Sequence, residues 1–150
     1  IICHDFWSAD GKICWPDLRD KVYEHDLETR QTTEVWNHEI CHAHTNYRDI
    51  WVGDDSPYKW TVKPCRTVFF DRSSGKEIDI FSSMPMHKYK STASFHLDPH
   101  PCFTQDSKYI TSMTTVRNGQ VDLAITPVEP LIELCRKNGK QVNKPWKETL

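Results

Sequence analysis

The chain is 150 residues long, 37% hydrophobic and 27% charged, with nine prolines, five glycines and a formal net charge of −2. That length suits one domain with a real core, and the charge balance, without any Lys/Arg block, excludes a nucleic-acid footprint. No apolar run approaches the roughly 20 residues of a membrane helix.

The N-terminus, Ile1-Ile2-Cys3-His4, reads as strand, with no initiating Met and no basic stretch followed by an apolar core. A cytoplasmic piece of a longer protein is the expectation. The first nine-residue unit, His4-Asp5-Phe6-Trp7-Ser8-Ala9-Asp10-Gly11-Lys12, has the grammar of a hairpin. A short strand ends at Ser, a turn carries Asp and Gly, and the run Lys12-Ile13-Cys14-Trp15 follows. A second hairpin is expected from Val22 to Asp26, through Leu27-Glu28-Thr29-Arg30-Gln31, to Thr32–Trp36.

His42-Ala43-His44-Thr45-Asn46-Tyr47-Arg48-Asp49, followed by Ile50-Trp51-Val52, is a looser copy of the opening. Its second hairpin runs from Val68-Phe69-Phe70-Asp71 through Arg72-Ser73-Ser74-Gly75-Lys76 into Glu77–Phe81. Turn-rich insertions at 54–64 and 82–95 account for the greater length of this unit. The third copy is the closest: His100-Pro101-Cys102-Phe103-Thr104-Gln105-Asp106-Ser107-Lys108 repeats His, aromatic, Ser/Thr, Asp, Gly/Ser and Lys in order. Here the second hairpin is expected from Gln120–Ile125 through Thr126-Pro127 to Leu131–Leu134. The polar tail 136–150 either frays or begins another unit. No segment longer than a turn or two shows helical periodicity.

Two hairpins per unit make a four-stranded sheet, and repetition of such sheets is the signature of a β-propeller. The expected architecture is all-β: about three four-stranded antiparallel blades near 3–38, 40–95 and 97–135. A complete ring has at least four blades, which again points to a longer protein. The first strands of propeller blades line the central axis, so His4, His42 and His100 should converge there, with His44 and Asp98 at the same rim. Imidazoles and a carboxylate around a wet axis suit a divalent metal or acid/base work. Set against this, a strand histidine is commonly a hydrogen-bonded structural group; His25, His38 and His87 lack the repeat placement and read as surface residues. Asp10, Asp26, Asp71 and Asp106 read as turn stabilisers. The aromatics Phe6, Trp7, Trp15, Trp51, Phe69, Phe70 and Phe103 should pack between blades; a sugar-stacking platform is the alternative for Trp51, Tyr58 or Trp60.

The six cysteines show no CxxC pairing, so buried, reduced thiols are expected, with a secreted disulfide-stapled module as an alternative. Cys41-His42-Ala43-His44 invites a zinc reading but has no second ligand pair at motif spacing.

The same blocks resemble the oligogalacturonate lyases, polysaccharide lyase family 22, which are seven-bladed propellers. Cys3 to Lys12 resembles that family's Gly-His-Glu-Phe-Trp-Ser-x-Asp-Gly-Lys. Cys41 to Tyr47, with Val52-Gly53-Asp54, resembles its Ser-His-x-x-Ser-Asn and Val-Gly-Asp-Gly. Asp98-Pro99-His100-Pro101-Cys102-Phe103-Thr104 resembles its His-Pro-His-Pro-x-Phe-Thr. The resemblance implies lyase activity in pectin degradation: β-elimination on uronate-containing, acidic oligosaccharides, assisted by a divalent metal, manganese above all. It carries the metal ligands onto His4, Asp98 and His100. The family's ligating glutamine falls on Phe95, for which His96 could substitute. The family's base and arginine are expected upstream of this chain, leaving His42 and His44 as candidate bases within it. A non-catalytic propeller that binds a protein or glycan is the alternative.

Overall fold

The structure, a computed structural model, describes residues 4–17, 21–46, 49–54, 65–84 and 98–146. The expected inserted loops are largely outside these residues, as are His87, Phe95, His96, Tyr58 and Trp60. Among the described residues there are one helix and twelve strands, and the strands form three antiparallel sheets.

The first sheet is a meander of β1 (Phe6–Trp7), β2 (Ile13–Pro16), β3 (Val22–Asp26) and β4 (Gln31–Trp36), paired in chain order. The second contains β5 (His42–His44), β6 (Ile50–Asp54), β7 (Cys65–Asp71) and β8 (Lys76–Met84), again in order. Asp54 and residues 82–84 therefore belong to strands, not to the inserted loops expected from sequence. The third sheet has only β9 (Cys102–Phe103), β10 (Tyr109–Thr114) and β11 (Asp122–Pro127).

Where a fourth strand was expected there is a helix, α1 (Val128–Asn138). Its buried residues, Val128, Leu131 and Cys135, recur at i, i+3 and i+7, the spacing of one helical face. Pro130 falls in the first turn, where its missing N–H costs nothing. Glu129 at the start and Arg136 and Lys137 at the end complement the helix dipole. The run Leu131-Ile132-Glu133-Leu134 suggested a strand because it is apolar, yet Leu134 is exposed on the outer face. Among the described residues the tail opens no new sheet: β12 (Lys140–Gln141) returns to the outer edge of the second sheet and pairs with β8.

The middle sheet is buried on both faces, and this explains its unbroken apolar runs. Trp51, Val68 and Phe70 face the first sheet, in a cluster with Cys14, Val22 and Trp36. Ile50, Val52 and Phe69 face the third sheet and α1, with Phe103, Ile110 and Leu131. Each such side chain stabilises the fold by about 1.5–3 kcal/mol when fully buried. Gly53 is required by close packing, because a Cβ there would lie 2.6 Å from Ile40 Cγ2. A buried Arg72–Glu24 ion pair, with its nearer contact at 2.9 Å, also ties the first two sheets, and Arg72 lies 4.4 Å from the Trp146 ring.

The turn chemistry follows the repeat. Ser8 bonds Asp10 in the first hairpin, and Thr104 Oγ1 donates to Asp106 at 2.7 Å in the third. Asp26 accepts the Glu28 and Thr29 N–H groups. Gly11 and Ser107 occupy the same repeat position and share left-handed backbone angles, φ 82° and 57°. Two sequence expectations need correction. Trp7 is 62% exposed instead of packed between blades. His38 is not a surface residue: its ring contacts Glu77 at 2.6 Å and packs against Trp36.

Candidate metal centre

The three repeat histidines meet. The His42 ring centroid lies 4.3 Å from that of His4 and 3.7 Å from that of His100. His42 opens β5 as expected, whereas His4 and His100 sit two residues ahead of β1 and β9. Both adopt left-handed backbone angles, φ 57° and 42°, an uncommon state for a side chain larger than glycine. Such outliers cluster at functional sites.

Anchors on either side hold this arrangement. Phe6 packs against Trp51 and stacks on His44, fixing the segment that carries His4. Pro99 O accepts the Met113 N–H at 2.8 Å, fixing the segment that carries Asp98 and His100. Asp98 Oδ2 stands 3.8 Å from His100 Nε2.

The organising residue is Asp54, which is 0% exposed and directly opposite His42 in the β5–β6 register. Its carboxylate accepts the His42 backbone N–H at 3.0 Å and the His100 backbone N–H at 2.9 Å. It also engages His42 Nδ1 at 3.0 Å. That contact fixes the tautomer and leaves Nε2 facing the other imidazoles, the carboxylate–histidine arrangement that supports metal ligands. The sequence reading missed Asp54 as a site residue; its signal was an acid closing an otherwise apolar strand next to a glycine.

Burial pulls the His42 imidazole down, but its bond to Asp54 and the charges of Asp54 and Asp98 hold it above the ordinary histidine range. Burial pushes the Asp54 carboxyl up, against the pull of His42 and two backbone donors. His4 and His100 are lowered by burial and then by the charge of His42. Neutral imidazoles keep their lone pairs for an ion. Two groups of three donors are each close enough to share an ion, His4–Cys41–His42 and His42–Asp98–His100, with the ligand atoms of each group within 4.8 Å of one another. His42 is common to both.

His44 is placed differently. Its Nδ1 accepts the Phe103 N–H at 3.2 Å, so the ring stitches the second sheet to the third and its other nitrogen carries the proton. Trp51 is corrected as a sugar platform: it is 0% exposed and belongs to the core between the first two sheets. Cys14, Cys41, Cys65, Cys102 and Cys135 are not in disulfides. Burial pushes the Cys14 thiol up to about 12 and that of Cys135 to about 11, as expected of inert core thiols.

No protein-family model and no curated protein matches the sequence. Solved structures do. An oligogalacturonate lyase in complex with manganese aligns with a TM-score of 0.65 at 21% identity, over 87% of this chain and 36% of that one. The oligogalacturonate lyase of Vibrio parahaemolyticus aligns with a TM-score of 0.64 at 19% identity, over 87% and 37%. TolB from Acinetobacter baumannii gives 0.60 at 13%, over 85% and 32%. The chain thus spans about a third of the length of the solved structures it matches. In fold, it is similar to a run of blades from a β-propeller of the kind seen in oligogalacturonate lyases.

Proposed function

We propose that this chain supplies the divalent-metal centre of a propeller protein that cleaves uronate-containing oligosaccharides by β-elimination. The observation that carries the reading is the meeting of His4, His42 and His100, each in or just ahead of the first strand of its sheet, over a buried carboxylate. The similarity of fold to two oligogalacturonate lyases supports it.

In such a reaction a base removes the proton alpha to the uronate carboxylate, a carbon–carbon double bond forms, and the bond to the β oxygen breaks. The proton is weakly acidic, so negative charge building on the carboxylate must be neutralised, which is what a divalent ion supplies. His4, His42, Asp98 and His100 would hold that ion. Asp54 orients the His42 ring and fixes the backbone of His100. With Nδ1 of His42 held by Asp54, its Nε2 keeps a lone pair for ligation or for accepting a proton, whereas Nδ1 of His44, held by the Phe103 N–H, makes that ring a positioning group.

The test is metal analysis of the full-length protein beside an assay for the absorbance of the new double bond. The expected outcome is about one divalent ion per chain and chelator-sensitive product from a uronate oligomer, with metal lost in His4→Ala and His100→Ala. Bound metal without product from any uronate oligomer would leave a metal-holding propeller and overturn the lyase. Absence of metal, with no effect of either substitution, would favour a binding module for a protein or glycan.

A further inference from the structure

Cys41 immediately precedes His42, and its Sγ lies 3.8 Å from His42 Nε2, the nitrogen turned away from Asp54. Its backbone N–H donates to the Asp54 carbonyl oxygen at 2.8 Å, so the strand pair that fixes Asp54 also fixes this thiol. Cys14, Cys65 and Cys135 each sit inside an apolar cluster. Cys41 is as buried as these, at 3% exposed, yet it belongs to none of the clusters and lies against an imidazole nitrogen.

We propose that Cys41 Sγ is a ligand of the ion held by the histidines, and that the centre takes a thiophilic divalent metal, of which zinc is the type, in preference to manganese. This rests on the reading that these histidines bind metal, and adds the class of ion. Sulfur at about 2.3 Å and imidazole nitrogen at about 2.0–2.1 Å from one tetrahedral ion stand about 3.6 Å apart. The observed Sγ–Nε2 separation is close to that, and His4 completes the set. Hard ions such as manganese prefer carboxylate, carbonyl and water oxygens, whereas thiolate selects zinc-like ions, and divalent affinities generally rise from manganese to cobalt and zinc. The donors gathered here are three imidazoles, one thiol and one carboxylate. As the sulfur–metal bond forms, the thiol proton leaves to solvent, so each ion bound releases a proton and affinity rises with pH.

Cobalt(II) is the probe, added to the metal-stripped full-length protein. The expected result is one equivalent bound, with visible d–d bands and a near-ultraviolet sulfur-to-cobalt charge-transfer band. That band should vanish in Cys41→Ser and persist in Cys102→Ser, and zinc should displace the cobalt where equimolar manganese does not. Zinc binding in Cys41→Ser should fall by more than the about 10–100-fold that loss of an outer-shell partner costs. Stoichiometric cobalt with d–d bands but no charge-transfer band in the unsubstituted protein would overturn the role of Cys41 while leaving the histidine centre standing. No stoichiometric cobalt at all would overturn both. Because the charge-transfer readout is taken on the unsubstituted protein, it stands even where a variant folds poorly.

Discussion

The first and third sheets open with the same motif and bury opposite faces of it. In the first, Phe6 turns toward the middle sheet and packs on Trp51, while Trp7 is 62% exposed. In the third, Phe103, the counterpart of Trp7, is 7% exposed and packs in the core, while Cys102, the counterpart of Phe6, is exposed. Strand residues alternate between faces, and the two sheets lie on opposite sides of the one they share. The motif therefore encodes a two-faced blade, and position in the array decides which face is covered. Beyond the shared hairpin the sheets diverge: one completes four strands, and the other replaces its fourth with α1.

The largest effect should come from exchanging the aromatic pair. Phe103→Ala is expected to cost about 3–5 kcal/mol, whereas Trp7→Ala should stay within about 0.5 kcal/mol, both measured by urea unfolding. Equal losses would break the comparison.

A smaller effect should follow at the helix that distinguishes the third sheet. Arg136 Nε donates to Asp71 Oδ2 at 2.7 Å, and Asp71 is 0% exposed. Burial alone would raise the Asp71 carboxyl, but hydrogen bonds from Arg136, Ser73 and Ser74 hold it below the ordinary carboxylate range. A lowered carboxyl contributes stability above its ordinary value of about 3.9 and loses that contribution as pH falls through the lower folded value. Arg136→Ala should therefore cost about 1–3 kcal/mol at neutral pH, and the gap between variant and parent should shrink at pH 3. A gap that does not change with pH would mean that the guanidinium acts only by packing.

The smallest effect should separate the two turns. Gly11 and Ser107 both have positive φ, but Ser107 Oγ accepts the Asn46 Nδ2–H at 2.7 Å and nothing comparable surrounds Gly11. Gly11→Ser should cost about 1 kcal/mol for the left-handed backbone alone, read as a shift in the thermal midpoint.

The blades were legible because their turn residues act locally: Asp10, Asp26 and Asp106 each bond within three residues of themselves in sequence. Convergence of His4, His42 and His100 followed from repeat position alone. What was not legible depended on distant partners. Trp51 read as a strand aromatic with a sugar platform as its alternative, and only the closing of Phe6 and Phe70 over its strand decides for the core. The helix hid because Leu131 and Cys135 reveal their face only when the groove between two sheets is known. Asp54 looked like a loop acid because its partners, His42 and His100, lie 12 and 46 residues away.

That one sealed carboxylate aligns a ring from its own sheet and a main-chain amide from the next. The histidine cluster and the architecture thus share a keystone in this protein. An engineer wishing to alter the histidine rim cannot touch Asp54 without also loosening the seam between blades, whereas neither Cys41 nor Asp98 bridges two sheets in this way, and both can vary with less disturbance of the masonry.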